Sequence, residues 1–353
     1  MIPMINRKIY TISNASTQPL LSVQRLCTYF FTAQGTVKAV DRVDLNLFPS
    51  KALGLVGESG CGKSVFARSI LRLIAPPGRI VSGQILFDGY DLLKRSEKQM
   101  RQIRGQSIAM IFQDPLTTLN PVLQVCYQIA EVLRIHRRRA EGVDIGLKRG
   151  TIQERVLELM RLVQIPSPQE RLRQYPHEFS GGMRQRAIIA TGLACNPLLL
   201  IADEPTTALD VTVQAQILNL LAEIKEKHGT SILLITHDLG TINYLCERVA
   251  VMYAGKIVEH GATSQVVFEP KHPYTQGLLG CLPKLRAKKG IQPIPGEVPD
   301  LLDLPSGCSF QERCPLVMER CRTEEPRLLP IQNGWQVSCH LYSLKDEEKN
   351  RQL

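Results

Sequence analysis

A glycine-rich segment at residues 57–64, GESGCGKS, carries the first recognisable chemistry of this chain. Its glycines let successive backbone N–H groups turn inward and form a concave anion site that continues into the next helix. Lys63 would place a positive charge on the β- and γ-phosphates of a nucleotide, and the Ser64 hydroxyl would be a Mg²⁺ ligand. The pattern predicts nucleotide contacts from Gly57, Glu58, Ser59, Gly60, Cys61, Gly62, Lys63, Ser64 and Val65.

An acidic pair ends the apolar segment LLLIADE at residues 198–204. A buried strand would carry Asp203 to the carboxyl edge of a sheet, where its carboxylate would hold Mg²⁺ directly or through water. Glu204 next to it would orient or deprotonate the attacking water. Alone, such a pair is more often a helix cap or a surface loop. Combined with the phosphate loop, it predicts an enzyme that binds and hydrolyses ATP with Mg²⁺.

A framework of strands and helices must position these residues. The alternation in LSVQRLCTYF and AVDRVDLNLF predicts an antiparallel strand pair, and GQILFDGYDLL predicts a further hairpin. Apolar segments such as KALGLVG, LLLIAD and TSILLIT, with helical segments between them, predict a mixed, mainly parallel central sheet. The stretch from about 116 to 178 is helical in pattern and rich in Arg and Glu, which predicts an inserted helical subdomain. The expected fold class is therefore α/β.

Composition and charge limit the class of protein. The chain has 353 residues, of which 44% are hydrophobic, and a formal net charge of +10. That charge fits an anionic partner such as nucleic acid, a membrane surface or a nucleotide, and it fits equally a solvated basic surface. No apolar stretch reaches the roughly 18–20 residues that span a bilayer, and the start does not resemble a secretion signal. We therefore expect a cytosolic chain whose membrane association comes through a partner.

The segment FSGGMRQR at residues 179–186 resembles the signature motif of ABC-type ATPases. Other motifs of that family follow in the expected order. Gln113 in IFQDP matches the Q-loop, residues 208–210 (ALD) match the D-loop, and His237 in ITHD matches the switch histidine. The resemblance extends over residues 21–283, the expected nucleotide-binding domain, and implies a P-loop ATPase with an antiparallel β subdomain.

The resemblance also implies a role for each motif. In this family two nucleotide-binding domains pair head to tail, and the signature of one closes on the ATP held by the other. The partner's ATP would then contact Ser180, Gly181 and Gly182. This chain's own ATP would contact Phe30 in the aromatic cluster 29–31, as well as Gln113, Asp203 and Asp210. Catalysis would fall to Lys63, Gln113, Glu204 and His237. The expected Mg²⁺ ligands are Ser64, Gln113 and Asp203.

Four cysteines near the end have the spacing C-x5-C-x6-C-x17-C: Cys308, Cys314, Cys321 and Cys339. Four thiolates are the ligand count of a structural zinc or a [4Fe–4S] cluster. The spacing fits neither zinc ribbons nor ferredoxin runs, so it leaves the choice of metal open, as well as four unrelated cysteines. We divide the chain into an N-terminal extension (1–20), expected to be flexible, the domain 21–283, and a C-terminal cysteine-rich module (284–353).

The tract from KHPYTQGLL through IPGEVP to CPLVMERC is similar to the C-terminal extension of ATP-binding subunits of oligopeptide, dipeptide and nickel importers. This likeness implies a [4Fe–4S] cluster, with Zn²⁺ as the alternative. It also implies an energy-coupling ATPase of a bacterial peptide importer, at the cytoplasmic face of the inner membrane. The implied partners are a paralogous ATP-binding subunit or a second copy, two membrane permeases and, indirectly, an extracytoplasmic peptide-binding protein.

Several alternatives stay open at this stage. Met183 stands where the family has Gln, which leaves open whether two composite sites are equally active. The cargo could be dipeptides, oligopeptides, nickel or antimicrobial peptides. A soluble ABC-type ATPase acting on nucleic acid or ribosomes would suit the charge, but such proteins usually carry two nucleotide domains, so no nucleic acid is expected. The ATPase half of an exporter is the third interpretation.

Overall fold

The computed structural model describes residues 18–113, 118–139, 149–281, 293–332 and 334–342. Most of the predicted extension 1–20 and parts of the predicted module 284–353 lie outside these ranges. The strands are β1 Leu21–Thr32, β2 Gly35–Leu47, β3 Ala52–Val56, β4 Gly78–Phe87, β5 Tyr90–Asp91, β6 Ile108–Ile111, β7 Leu199–Asp203, β8 Ser231–Thr236, β9 Arg248–Tyr253, β10 Lys256–Ala262, β11 Leu329–Gln332 and β12 Trp335–Val337.

The α-helices of the described residues lie between and after these strands in the sequence. They are α1 Lys63–Ile70, α2 Glu97–Ile103, α3 Val125–Arg139, α4 Arg149–Leu162, α5 Pro168–Arg171, α6 Gly181–Leu193, α7 Val211–His228, α8 Leu239–Leu245, α9 Thr263–Phe268, α10 Pro273–Gly280 and α11 Glu319–Thr323. Across the described ranges, no helix is both long and apolar enough to cross a bilayer.

The central sheet has the strand order β11-β12-β10-β9-β3-β8-β7-β6. The pairs from β9 to β6 are parallel, whereas β10, β12 and β11 pair antiparallel. Every residue of β3, β7 and β8 is buried, as expected for parallel strands covered on both faces. The predicted mixed, mainly parallel sheet is confirmed. Its carboxyl edge carries the phosphate loop after β3 and Asp203 at the end of β7.

A second, antiparallel sheet has the order β2-β1-β4-β5. Its apolar residues share a core with α1, in which Leu26, Phe66 and Ile70 are fully buried. The β subdomain and both hairpins predicted from alternation are therefore present. This sheet lies against the helix that begins in the phosphate loop, so it supports the nucleotide site from one side.

The stretch predicted as a helical insertion contains α3, α4 and α5. Apolar residues of α3 and α4 join a core with α6, in which Val125, Ile129, Val156 and Leu159 are fully buried. This core connects the helices to the start of α6, where the signature motif lies. The basic run RIHRRRAEGVDIGLKRG falls largely outside the described residues. The boundaries 116–178 stay a prediction.

The C-terminal residues extend the central sheet. Strand β12 pairs with β10, and β11 pairs with β12. Trp335 of β12 is 2% exposed, and its indole N–H donates to Glu259, whose carboxylate also accepts backbone N–H bonds from Lys271 and His272. The sequence predicted a C-terminal cysteine-rich module at residues 284–353, but nothing in it indicated that this module continues the central sheet.

Candidate nucleotide-binding site

The phosphate loop has the backbone that its glycines permit. Gly60 and Gly62 have φ values of 82° and 106°, in the left-handed region that side chains disfavour. A Cβ at Gly62 would lie 2.0 Å from the Ala39 carbonyl oxygen, and one at Gly57 would lie 2.2 Å from the Met252 carbonyl oxygen. Both positions therefore require glycine.

Lys63 begins α1 and is only 5% exposed. Its ammonium donates to the carbonyl oxygens of Gly57 at 2.7 Å and Glu58 at 2.8 Å. Two carbonyl oxygens of the loop itself therefore hold the charged Lys63 ammonium. The buried Cys61 lies beneath, with its sulfur 3.7 Å from the Lys63 nitrogen, and burial raises the pKa of its thiol.

Ser64 and Asp203 meet between α1 and β7. The Ser64 hydroxyl donates to the Asp203 carboxylate at 3.1 Å. Asp203 is 1% exposed, and burial raises the pKa of its carboxyl, with a further increase from the charge of Glu204. A hydroxyl and a carboxylate side by side are the oxygen ligands that Mg²⁺ takes in nucleotide sites.

Glu204 is the centre of a group of hydrogen bonds at the same edge. Its carboxylate accepts from the Gln113 amide at 3.0 Å and from the Thr207 hydroxyl at 2.9 Å. The His237 Nδ1 lies 3.4 Å from the other carboxylate oxygen. Glu204 has φ 48°, a strained backbone value of the kind that is found at functional sites. Three residues chosen from separate motifs, Gln113, Glu204 and His237, therefore lie together.

Thr207 was missed by the sequence reasoning. It lies in EPTTALD between the acidic pair and the D-loop, and threonine next to a turn usually bonds the backbone. Only the position of its hydroxyl, which points to the Glu204 carboxylate, identifies it. Nothing in the residue types alone separates it from Thr206.

The signature residues lie apart from this group. Ser180 caps α6 by accepting from the Met183 backbone N–H at 3.3 Å, and Ser180 and Gly181 are exposed. A Cβ on Gly182 would lie 2.7 Å from the Val213 side chain. Asp210 caps α7 in the same way. Within the described ranges, no hydrogen bond joins residues 180–182 to the phosphate loop. The helix α6 has 13 residues, and its N-terminus is exposed and capped. Such a helix end is able to bind an anion.

The aromatic cluster 29–31 is divided among three environments. The Tyr29 hydroxyl donates to Asp41 at 2.7 Å. Phe30 is half-buried and lies against Gly78, where an added Cβ would meet its ring at 2.5 Å. Phe31 is 38% exposed, with the Arg79 guanidinium 4.2 Å from its ring centroid. The assignment of Phe30 as the adenine-stacking ring stays a prediction.

The four C-terminal cysteines line one cavity, together with apolar residues such as Phe310, Leu316 and Met318. Burial raises the pKa of the Cys308 thiol to about 12 and that of Cys339 to about 11, with further increases from the neighbouring thiols. In the part of the chain that the structure describes, no group of three or more His, Cys, Asp or Glu side chains is arranged to hold a metal ion. The metal site predicted at these cysteines is therefore not supported by the arrangement of the described side chains.

Comparison with known proteins gives the family. Residues 40–207 match the ABC transporter family, and residues 258–321 match the oligopeptide/dipeptide transporter C-terminal region. A probable peptide ABC transporter ATP-binding protein of Sinorhizobium fredii is 49% identical over 93% of this chain and 96% of its own length. A dipeptide transport ATP-binding protein of Bacillus subtilis is 47% identical, covering 94% and 97%, and an oligopeptide counterpart from the same organism is 47% identical, covering 91% and 88%.

Solved structures agree with the fold. A dimeric ATP-binding cassette in a post-hydrolysis state, bound to ADP and phosphate, has a TM-score of 0.61 at 23% identity, covering 69% of this chain and 98% of that one. The cbiO1 protein of Clostridium perfringens, part of an ABC transporter complex, has a TM-score of 0.60 at 26% identity, covering 71% and 91%. The predicted ABC ATPase fold is confirmed. By its close relatives over more than nine tenths of its length, this chain belongs to the ABC transporter family, as an ATP-hydrolysing subunit with the oligopeptide/dipeptide transporter C-terminal region.

Proposed function

We propose that this protein is the energy-coupling ATPase of a bacterial importer for dipeptides or oligopeptides. The single observation that supports this most strongly is identity of 47–49% to peptide-transport ATP-binding proteins across both the ATPase region and the C-terminal region. Nickel and antimicrobial peptides are the alternative cargoes. No observation favours a soluble ATPase acting on nucleic acid or ribosomes over this proposal.

The catalytic roles follow from the geometry of the carboxyl edge. The ammonium of Lys63, now held by loop carbonyls, would turn to the β- and γ-phosphates of ATP. Glu204 would orient a water and accept its proton, while Gln113 and Thr207 fix the carboxylate. His237, at the far carboxylate oxygen, would contact the γ-phosphate and keep the water in line.

Ser64 and Asp203 would hold Mg²⁺, with Gln113 as a further ligand. The fit rests on the paired hydroxyl and carboxylate oxygens and on the burial of Asp203. When bound, Mg²⁺ neutralises charge that develops on the phosphate oxygens. Gly57 and Gly62 would let the loop backbone pack against Met252 and Ala39 while its N–H groups face the triphosphate, and a Cβ at Gly60 would meet nothing within 4 Å. Phe30 would stack on adenine.

The partners that we propose are a paralogous ATP-binding subunit or a second copy, two membrane permeases and, indirectly, a peptide-binding protein. The exposed N-terminus of α6 at Ser180 supports a composite site, because one fold needs only one phosphate cradle for its own nucleotide. Asp210 would lie at the same contact. The chain would act at the cytoplasmic face of the inner membrane. The division at residues 20 and 283 remains part of this proposal.

Co-purification tests this function. We would express the tagged full-length chain in its native host, extract membranes with mild detergent and identify what elutes. The proposal predicts two integral membrane proteins and ATPase activity that rises when a peptide-loaded binding protein is added to the reconstituted complex. Elution with RNA, DNA or ribosomal proteins, and without membrane proteins, would contradict it.

We also propose that Cys308, Cys314, Cys321 and Cys339 hold a [4Fe–4S] cluster, with Zn²⁺ as the alternative. Support comes from four thiols lining a single apolar-walled cavity. A four-iron cluster separates its cysteine ligands more widely than a single ion does, and its sulfur ligands bind as thiolates. The cluster would therefore form with release of the thiol protons.

Spectroscopy and metal analysis distinguish the outcomes. Anaerobically purified protein should show broad absorbance near about 400 nm, together with bound iron and sulfide. Cys314→Ser should lose most of that absorbance, whereas Cys126→Ser, a cysteine outside the cavity, should keep it. Colourless protein with stoichiometric zinc would support the alternative, and metal-free protein would contradict both.

A further inference from the structure

Glu58 of the phosphate loop is held by residues more than 200 positions away in the sequence. Its carboxylate accepts two bonds from the Arg313 guanidinium, at 2.7 and 2.9 Å. Its backbone N–H donates to the Tyr274 hydroxyl oxygen at 2.8 Å. Its carbonyl accepts from Lys63 at 2.8 Å. All of its polar groups are therefore occupied, two of them by the C-terminal third of the chain.

Arg313 is itself rigidly placed. It is 6% exposed, its Nε donates to the Pro295 carbonyl at 2.9 Å, and one Nη lies 3.4 Å from the Tyr253 hydroxyl oxygen. The bond to Glu58 raises the pKa of the guanidinium, so Arg313 stays charged. A buried arginine with its fork on one carboxylate is a fixed contact, unlike a mobile surface ion pair.

An aromatic group forms the wall behind this contact. The ring centroids of Tyr253 and Tyr274 lie 4.5 Å apart, and the centroid of Phe310 lies 5.2 Å from that of Tyr253 and 5.5 Å from that of Tyr274. Phe310 and Arg313 belong to the C-terminal segment, which is the described part of residues 284–353. Tyr253, in contrast, is the last residue of the central strand β9. The rings therefore pack the C-terminal segment against the strand and helix that lie next to the phosphate loop.

The position of Glu58 has an electrostatic consequence. A carboxylate in a loop that cradles a triphosphate would repel the ligand unless its charge is balanced. Arg313 supplies that balance. The Glu58 carbonyl is one of the two oxygens that hold the Lys63 ammonium, so Glu58 lies directly beside the lysine that would bind the phosphates.

We propose that Arg313 is a positioning residue of the nucleotide site, through which the C-terminal segment sets the affinity of the phosphate loop for ATP. It acts by neutralising the Glu58 carboxylate, whose charge would otherwise repel the triphosphate. This inference rests on the proposed ATP binding by the loop. It adds a dependence of that binding on a residue outside the ATPase motifs.

The chain contains a matched control contact. Glu325, also C-terminal, accepts two bonds from Arg42 at 2.8 and 2.9 Å and pairs with Lys256 at 2.7 Å. This ion pair links the same C-terminal segment to strands β2 and β10, and it does not involve a phosphate-loop residue. Glu325→Gln therefore weakens the attachment of the segment without touching Glu58.

The experiment measures the Kd of MgATP for the purified full-length chain by titration calorimetry. Arg313→Gln should raise Kd about tenfold, and Arg313→Lys, which keeps the charge without the fork, should lie in between. Glu325→Gln should stay within about twofold of wild type. The double variant Glu58→Gln/Arg313→Gln should recover most of the affinity, because the unbalanced carboxylate is gone. Thermal unfolding of each apo-protein checks that it is folded.

Three outcomes would overturn the inference. They are a wild-type Kd for Arg313→Gln, an equal loss in Arg313→Gln and Glu325→Gln, and no recovery in the double variant. The equal loss would mean that the segment stabilises the fold in general. If the wild-type chain itself failed to bind MgATP, the proposed function would fail first, and that result is read from the wild-type titration alone.

Discussion

Thr207→Val tests whether the Glu204 carboxylate must be held in place for hydrolysis. The substitution keeps the shape of the side chain and removes the hydroxyl that donates to Glu204 at 2.9 Å. The Gln113 and His237 contacts remain, at 3.0 and 3.4 Å. One of three groups around the carboxylate is therefore lost, and it is the shortest contact of the three.

The size of the effect follows from this geometry. A hydrogen bond to a charged group contributes about 1.5–3 kcal/mol. Because two other groups still hold the carboxylate, we take the lower end, about 1.5 kcal/mol, which corresponds to about a tenfold lower rate. The Thr207 hydroxyl hydrogen-bonds to Glu204 and, among the described residues, to no residue of the phosphate loop 57–64, so the affinity for ATP should change little.

The assay is steady-state ATP hydrolysis by the assembled complex, with kcat and KM determined separately. Thr207→Val should lower kcat about tenfold with KM within about twofold. Thr207→Ser, which keeps the hydroxyl, is the matched control and should retain most of kcat. The reasoning is refuted if Thr207→Val turns over at the wild-type rate, or if the loss lies in KM.

Three further predictions concern the loop and the stability of the fold. Gly62→Ala should abolish ATP binding in a titration, because its Cβ would lie 2.0 Å from the Ala39 carbonyl oxygen at φ 106°; binding at wild-type Kd would contradict this. Burial lowers the pKa of His260 from 6.5 to about 4. Between these pH values the unfolded chain therefore binds a proton at this imidazole, whereas the native chain does not. As the pH is lowered from 6.5 to about 4, the free energy of unfolding should therefore fall by up to about 1.4 kcal/mol per pH unit. Urea unfolding at pH 7 and pH 5 should show a smaller decrease in His260→Gln, and an equal decrease would refute the assignment. Trp335→Phe removes the N–H that Glu259 accepts at 3.0 Å, and should cost about 1–3 kcal/mol in the same assay; an unchanged midpoint would show that this bond is dispensable.

The sequence predicts the nucleotide site well because its parts are local. The phosphate loop needs particular residue types at fixed spacing, since Gly62 must adopt φ 106° and Lys63 must begin a helix. Asp203 is the last of the five buried residues of β7, which places it at the sheet edge, and Glu204 follows the strand. Alternation in β1 and β2 likewise predicts their antiparallel pairing.

Contacts between distant segments are not predictable in this way. Arg313 reaches Glu58 across 255 positions, and a single arginine in a charged segment has no pattern that names its partner. Thr207 is close to Glu204 in sequence, but the direction of its hydroxyl depends on the strained turn at Glu204. Both residues become visible only when the fold brings side-chain atoms together.

The C-terminal segment shows the same limit on a larger scale. Strands β11 and β12 have only four and three residues, too few for a periodic pattern, and β11 contains Pro330. Strand β12 pairs with β10 where Trp335 fills a buried position beside Glu259, and β11 pairs with β12. Cysteine spacing correctly draws attention to this segment. It does not determine how the four thiols are arranged around their cavity.

Glu204→Gln is the most direct test of the central claim that this chain hydrolyses ATP through the Glu204 carboxylate, which directly follows β7. The variant keeps the side-chain length and removes the base, so the purified protein should bind MgATP at close to the wild-type Kd. Hydrolysis should fall by at least about a hundredfold, the usual contribution of a general base. Turnover by Glu204→Gln at the wild-type rate would contradict the account.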